Sequence, residues 1–178
     1  MSTDSLYEAL AARGGTLATL LVADGAEVEG DQPGIGAPSQ AARGPRTAGN
    51  EADYELLLEM ILEGSLLHYG RPRVVITDDR DLALLLGDQL YALGLSRLAE
   101  LGDLEAVREL ADVISLLSEA QLSEDSELAR AIWDAGAVAV GWGGTPEYEA
   151  AKALARAGDA NAGAALVECS GRALDRRL

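Results

Sequence analysis

Residues 54–68 read YELLLEMILEGSLLH, and they decide the fold class. Apolar side chains recur there every three or four residues, and further leucines fill the positions between them. A helix that is apolar nearly all round is stable only when other helices surround it. The stretch therefore predicts a helix in the interior of a bundle, with these apolar positions: Tyr54, Leu56, Leu57, Leu58, Ile61, Leu62, Leu66 and Leu67.

Two more apolar helices follow. One is predicted over residues 82–101 and ends at Gly102, because glycine is the usual residue just past a helix end. Asp103 is a good helix cap and begins the next helix, over residues 104–121. The short connection predicts that these two helices form a tight antiparallel pair.

Start signals mark the remaining helices. A serine followed three residues later by glutamate predicts a capping box, and threonine before proline is typical of a helix start. No segment alternates apolar and polar residues with period two. We therefore expect an all-α, single-domain antiparallel helix bundle over residues 1–178, with helix starts at Ser5, at Asn50, at Ser123 or Asp125, and at Thr145.

The composition limits the classes of function. The net charge of −16 repels the phosphates of nucleic acids and of anionic membranes. No apolar run approaches the roughly 20 residues of a membrane-spanning helix, and the first residues lack the pattern of a secretion signal. The single cysteine, Cys169, cannot form an internal disulfide. We expect a cytoplasmic protein that neither spans a membrane nor binds nucleic acid.

One segment differs from the rest of the chain. Residues 30–50 are rich in glycine and proline and contain few large apolar side chains. Such a composition buries too little surface to offset the entropy of ordering the chain. The prediction for residues 30–50 is a flexible loop.

The acidic segment TDDRD, residues 77–81, allows two interpretations. Asp78, Asp79 and Asp81 could hold Mg²⁺ against a diphosphate, because carboxylate oxygens suit that ion. They could equally begin a helix, with Asp78 as the N-cap and the other acids favoured by the helix dipole. The position at the mouth of a helix, in its first turn, favours the helix start.

His68 and Cys169 also have a structural explanation. A histidine acting as a base for nucleophilic catalysis needs a positioned serine or cysteine partner, and the sequence identifies no such partner for His68. Cys169 has no histidine or cysteine at metal-binding spacing. Both residues are therefore predicted to pack inside the protein. On residues alone the chain is an acidic helical domain without a credible active site.

Four segments together resemble the trans-prenyltransferase family, the all-α polyprenyl diphosphate synthases. Residues 71–103, RPRVVITDDRDLALLLGDQLYALGLSRLAELGD, look like the family's Gly-x-Pro segment and the helix after it. ADVISLLSEAQL, IWDAGAVAVGW and LARAGDANAGAAL are similar to three later segments. The resemblance covers almost the whole chain and implies a truncated isoprenoid-synthase fold.

The chain departs from this family where the family keeps its chemistry. Gly14 and Gly15 match the glycines of the diphosphate-binding segment, but its lysine and arginines are replaced. The first aspartate-rich motif should follow His68, where this chain has Tyr69-Gly70-Arg71-Pro72. Ionising an allylic diphosphate needs Mg²⁺ on the leaving group and cations on the second diphosphate. The resemblance therefore implies a protein that does not catalyse prenyl transfer by itself.

The family includes heteromeric synthases, in which a short degenerate subunit pairs with a catalytic large subunit. This chain looks like such a small subunit of a heptaprenyl or related long-chain synthase, with Mg²⁺ expected only in the catalytic partner. The implied role is to stabilise the partner and help set the prenyl chain length, for a quinone side chain such as that of menaquinone. The partner interface is expected to include Leu84, Leu85, Gln89, Tyr91, Val113, Leu116 and Leu117.

Two other functions remain open at this point. One is a residual Mg²⁺-dependent prenyltransferase or terpene-type lyase that uses Asp78, Asp79 and Asp81 as a displaced metal site. The other is a homo-oligomeric scaffold that kept the fold for protein contacts only.

Overall fold

A computed structural model describes residues 2–22 and 32–175 of the protein. In these two ranges the chain is helical and forms no strand, apart from an isolated antiparallel bridge between Leu21 and Val75. The prediction of an all-α, single-domain helix bundle is confirmed. The helices are α1 (Ser2–Arg13), α2 (Gly15–Thr19), α3 (Ala37–Ala42), α4 (Glu51–Tyr69), α5 (Arg80–Leu101), α6 (Leu104–Leu122), α7 (Ser126–Trp142), α8 (Pro146–Arg156) and α9 (Ala162–Asp175).

The central helix is α4, as its all-round apolar sequence predicts. Every residue from Leu57 to Leu67 is buried, and α4 contributes to both apolar clusters of the bundle. One cluster joins α4 to α3, to Leu98 of α5 and to α6–α9, and the other joins α4 to α1, α2 and the first half of α5. None of the helices in the described ranges is long and apolar enough to cross a membrane.

The expected tight pair of α5 and α6 is wrong. Helix α5 packs chiefly against α4, whereas α6 packs chiefly against α7. Two glycines of α5 explain the preference, because a Cβ on Gly94 would lie 2.8 Å from Leu57 O, and one on Gly87 would lie 3.0 Å from Gly64 O. The missing side chains let the backbones of α4 and α5 approach closely.

The flexible loop expected over residues 30–50 is also wrong for residues 32–50. They contain α3, which packs against α4 and α7. Thr47 is fully buried, with its Oγ1 2.9 Å from Ala41 O. A Cβ on Gly44 would lie 2.1 Å from Gly141 O, so the segment packs through its backbone. Small residues allow this contact without large apolar side chains. Residues 30 and 31 lie outside the described ranges.

The helix starts agree with the sequence prediction except at Ser5 and at Asp78. Asp103, Asp125 and Thr145 each accept a hydrogen bond from the backbone of the first turn, as N-caps do. Asn50 occupies the N-cap position of α4 without a side-chain bond. Ser5 is not a cap, because α1 already begins at Ser2.

Helix α5 is capped by Asp79 and not by Asp78 as predicted. Asp79 Oδ1 accepts hydrogen bonds from the backbone amides of Asp81, at 3.0 Å, and Leu82, at 3.1 Å. Asp78 stands one residue before the cap, and Asp81 lies in the first turn.

The first of two buried ion clusters joins α4 to the segment before α5. Glu63 Oε1 accepts from the amides of Arg73, Val74 and Val75, at 2.8, 2.7 and 3.1 Å. Arg73 donates through Nε to Glu63 Oε2 at 3.2 Å and through Nη2 to Glu59 Oε2 at 2.5 Å. All three charged side chains are buried. The cluster fixes residues 73–75 against the centre of the bundle.

The second cluster joins α6 to α8. Lys152, the only lysine of the chain, is buried, and its Nζ lies 2.8 Å from Glu109 Oε2 and 2.7 Å from Asp112 Oδ2. Glu149 Oε1 is a third partner at 2.8 Å, and the ammonium lies 4.7 Å from the centre of the Tyr148 ring. Three carboxylates around one ammonium thus hold α6 and α8 together.

Candidate functional site

The three aspartates of TDDRD lie at the exposed start of α5. The Asp79 carboxylate is engaged by the helix amides described above. Within residues 2–22 and 32–175, no three His, Cys, Asp or Glu side chains are grouped so that they could hold a metal ion. The geometry around Asp78, Asp79 and Asp81 is that of a helix start.

His68 lies at the end of α4, facing α5. Its ring stacks on that of Tyr91, with centroids 5.3 Å apart and planes 14° apart. Nε2 is 3.1 Å from Asp88 Oδ1, a distance that allows an ion pair, although the angle is not that of a hydrogen bond. A Cβ on Gly87 would lie 2.5 Å from His68 Cδ2, so this glycine makes room for the ring.

This corner joins α4 to α5 through aromatic side chains. Burial raises the pKa of the Tyr91 hydroxyl well above its usual range, so the phenol stays neutral. His68 has one carboxylate neighbour, Asp88, and an aromatic ring on its face. Its principal contacts join α4 to α5.

The side of α5 turned away from α4 presents the candidate interaction surface. Leu85, in the second turn of the helix, is 67% exposed there. Exposed residues continue from it in steps of four and three, the spacing of a helix–helix seam. We call this surface the α5 outer face and define it by Leu85, Gln89, Ala92, Ser96 and Ala99.

The α5 outer face contains only two of the seven residues predicted to contact a partner, Leu85 and Gln89. Leu84 is half-buried, as is Tyr91 against His68.

The three predicted contacts on α6 are not on the surface. Val113, Leu116 and Leu117 are buried in the main apolar cluster, so they are not available to a partner. The apolar stripe of α6 faces α7 within the same chain. These three positions of the predicted interface therefore belong to the core.

Other exposed apolar residues were missed by sequence reasoning. Leu104 is 71% exposed and lies beside Leu101 at the turn between α5 and α6, while Leu122 is 87% exposed at the opposite end of α6. Their positions next to helix ends are the signal that could have identified them. Ala92, Ser96 and Ala99 could have been found by extending the four-three spacing from Leu85.

The turn between α5 and α6 is held by a polar contact. Tyr54 Oη donates to Asp103 Oδ2 at 2.6 Å, and Arg46 Nη2 donates to Asp103 Oδ1 at 3.1 Å. Burial alone would raise the pKa of the Asp103 carboxyl, but the hydrogen bonds from Tyr54, Ala106 and Arg46 outweigh it and lower that pKa. Burial and the same bond raise the pKa of Tyr54 to about 12.

This contact predicts a pH-dependent contribution to stability. A carboxyl whose pKa is lowered in the folded state stabilises the fold above the unfolded value, about 3.9 for aspartate. The contribution is lost as pH falls through the lower folded value. Asp103→Asn is therefore expected to cost about 1–2 kcal/mol near neutral pH. The difference from the wild type should shrink below about pH 4.

Urea unfolding of both proteins between neutral and acidic pH measures this difference. Asp112 also has a lowered pKa, caused by its bonds to Lys152 and Arg156 despite burial, but it is present in both proteins and cancels. A difference that stays constant into the acid range would show that the ionised Asp103 does not contribute.

The sequence matches no protein-family model, no curated protein and no solved structure. The resemblance to trans-prenyltransferases rests on the sequence segments alone. The function is therefore inferred from those segments and from the geometry of the described residues.

Proposed function

We propose that this protein is the non-catalytic small subunit of a heteromeric polyprenyl diphosphate synthase. It pairs with a catalytic large subunit that holds Mg²⁺, stabilises it, and helps set the length of the prenyl chain for a quinone side chain. It acts in the cytoplasm. The observation that carries the proposal is the α5 outer face, an exposed seam on the helix with the most specific resemblance to the family.

The α5 outer face has the properties that a partner helix requires. Helix α5 contains 22 residues, so it is about 33 Å long. Its start is capped by Asp79, and its end by Gly102 in the left-handed conformation with φ 76°. Close packing on α4 supports it from behind. Two alanines and a serine leave room for a second helix to approach, and Leu85 is the one large apolar side chain of the face.

The residues at the family's catalytic positions support a non-catalytic role. Tyr69-Gly70-Arg71-Pro72 follows His68 where aspartates would bind Mg²⁺ in a catalytic relative, and Gly14 and Gly15 are not followed by cations. With a net charge of −16, the chain offers little attraction to a second diphosphate. We place both the Mg²⁺ and the diphosphate-binding cations in the partner.

Charge placed on the α5 outer face is expected to prevent pairing. Leu85→Glu/Ala92→Glu would bury two carboxylates against the partner helix, which should weaken binding by about a hundredfold. The matched control Ser115→Glu/Leu122→Glu also adds two carboxylates, at exposed positions of α6 outside the face, and should leave binding unchanged. The measurement is co-purification with a full-length synthase, followed by titration of the two purified chains.

The thermal unfolding of each variant must match the wild type, which surface positions allow. Equal binding by both variants would remove the α5 outer face as the interface. A stable homodimer of the chain with no affinity for the synthase would instead support the scaffold function.

A further inference from the structure

The structure holds a second surface, unrelated to the α5 outer face. A groove of about 730 Å³ lies between the start of α7 and the first half of α9. Its volume falls within the range of small-molecule clefts. The lining residues are Ser123, Asp125, Glu127, Leu128, Ala131, Gly158, Asp159, Ala160, Gly163, Ala164, Val167 and Glu168. We call it the α7–α9 groove.

Two glycines in the wall of the groove leave room for another chain to approach the backbone closely. A Cβ added at Gly158 or Gly163 would meet no heavy atom within 4 Å, so space exists above both backbones. Val167 lies one helical turn beyond Gly163 and is 60% exposed, while Ala131 at the floor is buried. The groove thus offers an apolar strip on which a chain of similar width can lie.

The rim of the groove is acidic. Four of its lining residues are carboxylates and none is a cation, whereas two other large cavities each contain an arginine, Arg43 in one and Arg108 in the other. Asp125 caps α7, and Asp159 accepts from the amide and side chain of Asn161, which lowers its pKa. Glu168 pairs with Arg172, which does not line the groove.

We propose that the α7–α9 groove binds an amphipathic basic helix of a partner protein. An aliphatic stripe of that helix would lie on Val167, Leu128 and the small residues, with lysines or arginines at the carboxylate rim. A second copy of this chain is a poor occupant, because its own charge of −16 opposes a negative rim. Nucleic acid is repelled for the same reason. The inference does not depend on pairing through the α5 outer face.

The probe is a fluorescein-labelled helical peptide of leucine and lysine, about five turns long, with leucines at heptad spacing. Its control is an isomer of the same composition without helical periodicity. Anisotropy titrations against the full-length chain at physiological salt measure the affinity. Amide chemical shifts locate the site. We expect shifts along residues 123–131 and 158–168, and binding at least about tenfold tighter than that of the isomer.

Charge-matched variants separate the groove from the general acidity of the chain. Glu127→Gln/Glu168→Gln removes two carboxylates at the rim, and Glu8→Gln/Glu100→Gln removes two exposed carboxylates on α1 and α5. The first pair should weaken binding by about tenfold, and the second pair by less than about twofold. Val167→Ser should also weaken binding, which tests the apolar strip separately.

Equal losses for both pairs, equal binding of the isomer, or shifts spread over the surface would each overturn the proposal. All variants are at exposed positions, and circular dichroism verifies that each is folded.

Discussion

Glu63→Leu is expected to lower the free energy of unfolding by about 3–5 kcal/mol. The substitution keeps most of the volume but removes the acceptor for three consecutive amides and the partner of Arg73 Nε. Buried groups that lose their partners cost far more than the mean value of a hydrogen bond. Urea unfolding followed by circular dichroism measures the loss. Glu55→Leu, one turn before Glu59 on α4 and only half-buried, should change stability by no more than about 0.5 kcal/mol.

The effect should spread along one path. Glu63 fixes residues 73–75. Val22 N donates to Val74 O at 3.0 Å, and Ile76 N, from the next residue along, donates to Leu20 O at 3.1 Å. Hydrogen exchange at Val22 and Ile76 should therefore accelerate in Glu63→Leu more than exchange in α7. Unchanged exchange at both amides would show that Glu63 does not hold this bridge.

Lys152→Met is the second substitution with a large expected effect, about 3–5 kcal/mol. Methionine fills a similar volume but leaves Glu109 buried and Asp112 part-buried without the ammonium. The double variant Lys152→Met/Glu109→Gln should recover part of the loss, because the orphaned buried charge is then gone. A single variant as stable as the wild type would show that the cluster is not a net contributor to the fold.

The same cluster predicts the behaviour of the lysine towards alkali and reagents. Burial alone would lower the pKa of Lys152, but the bonds to Asp112, Glu109 and Glu149 raise it above its usual value. Its stabilisation is then fully present below the unfolded pKa, about 10.4, and is lost as pH rises through the higher folded value. Because Lys152 is the only lysine, an amine-reactive label should modify this side chain only when the fold opens.

Helix positions followed from the sequence because they depend on local patterns. The apolar spacing of α4 and the caps at Asp103, Asp125 and Thr145 require only neighbouring residues. Residues 32–50 were mispredicted because their packing depends on Gly141, nearly a hundred positions away from Gly44. Composition rules count apolar side chains and overlook backbone-to-backbone contact.

The candidate surfaces were predictable only in part. In the sequence, Val113 has the helical spacing that a residue at a protein–protein interface would also have. It is buried because α7 of the same chain packs against α6. From the sequence alone, Glu59 and Glu63 would be predicted to lie in solvent. They are buried because Arg73, which lies beyond the end of α4, pairs with both. Leu85 differs from its neighbours only in facing away from α4.

The most direct test of the proposed function is prenyl transfer measured with labelled isopentenyl diphosphate and Mg²⁺. It compares this chain alone, a co-expressed full-length synthase alone, and the complex purified through a tag on this chain. We predict turnover by the complex and none by this chain alone. Activity of the complex should survive Asp78→Ala/Asp79→Ala here but not the loss of the partner's aspartates. Mg²⁺-dependent turnover by the isolated chain that is abolished by Asp78→Ala/Asp79→Ala would contradict the proposal and identify TDDRD as a metal site.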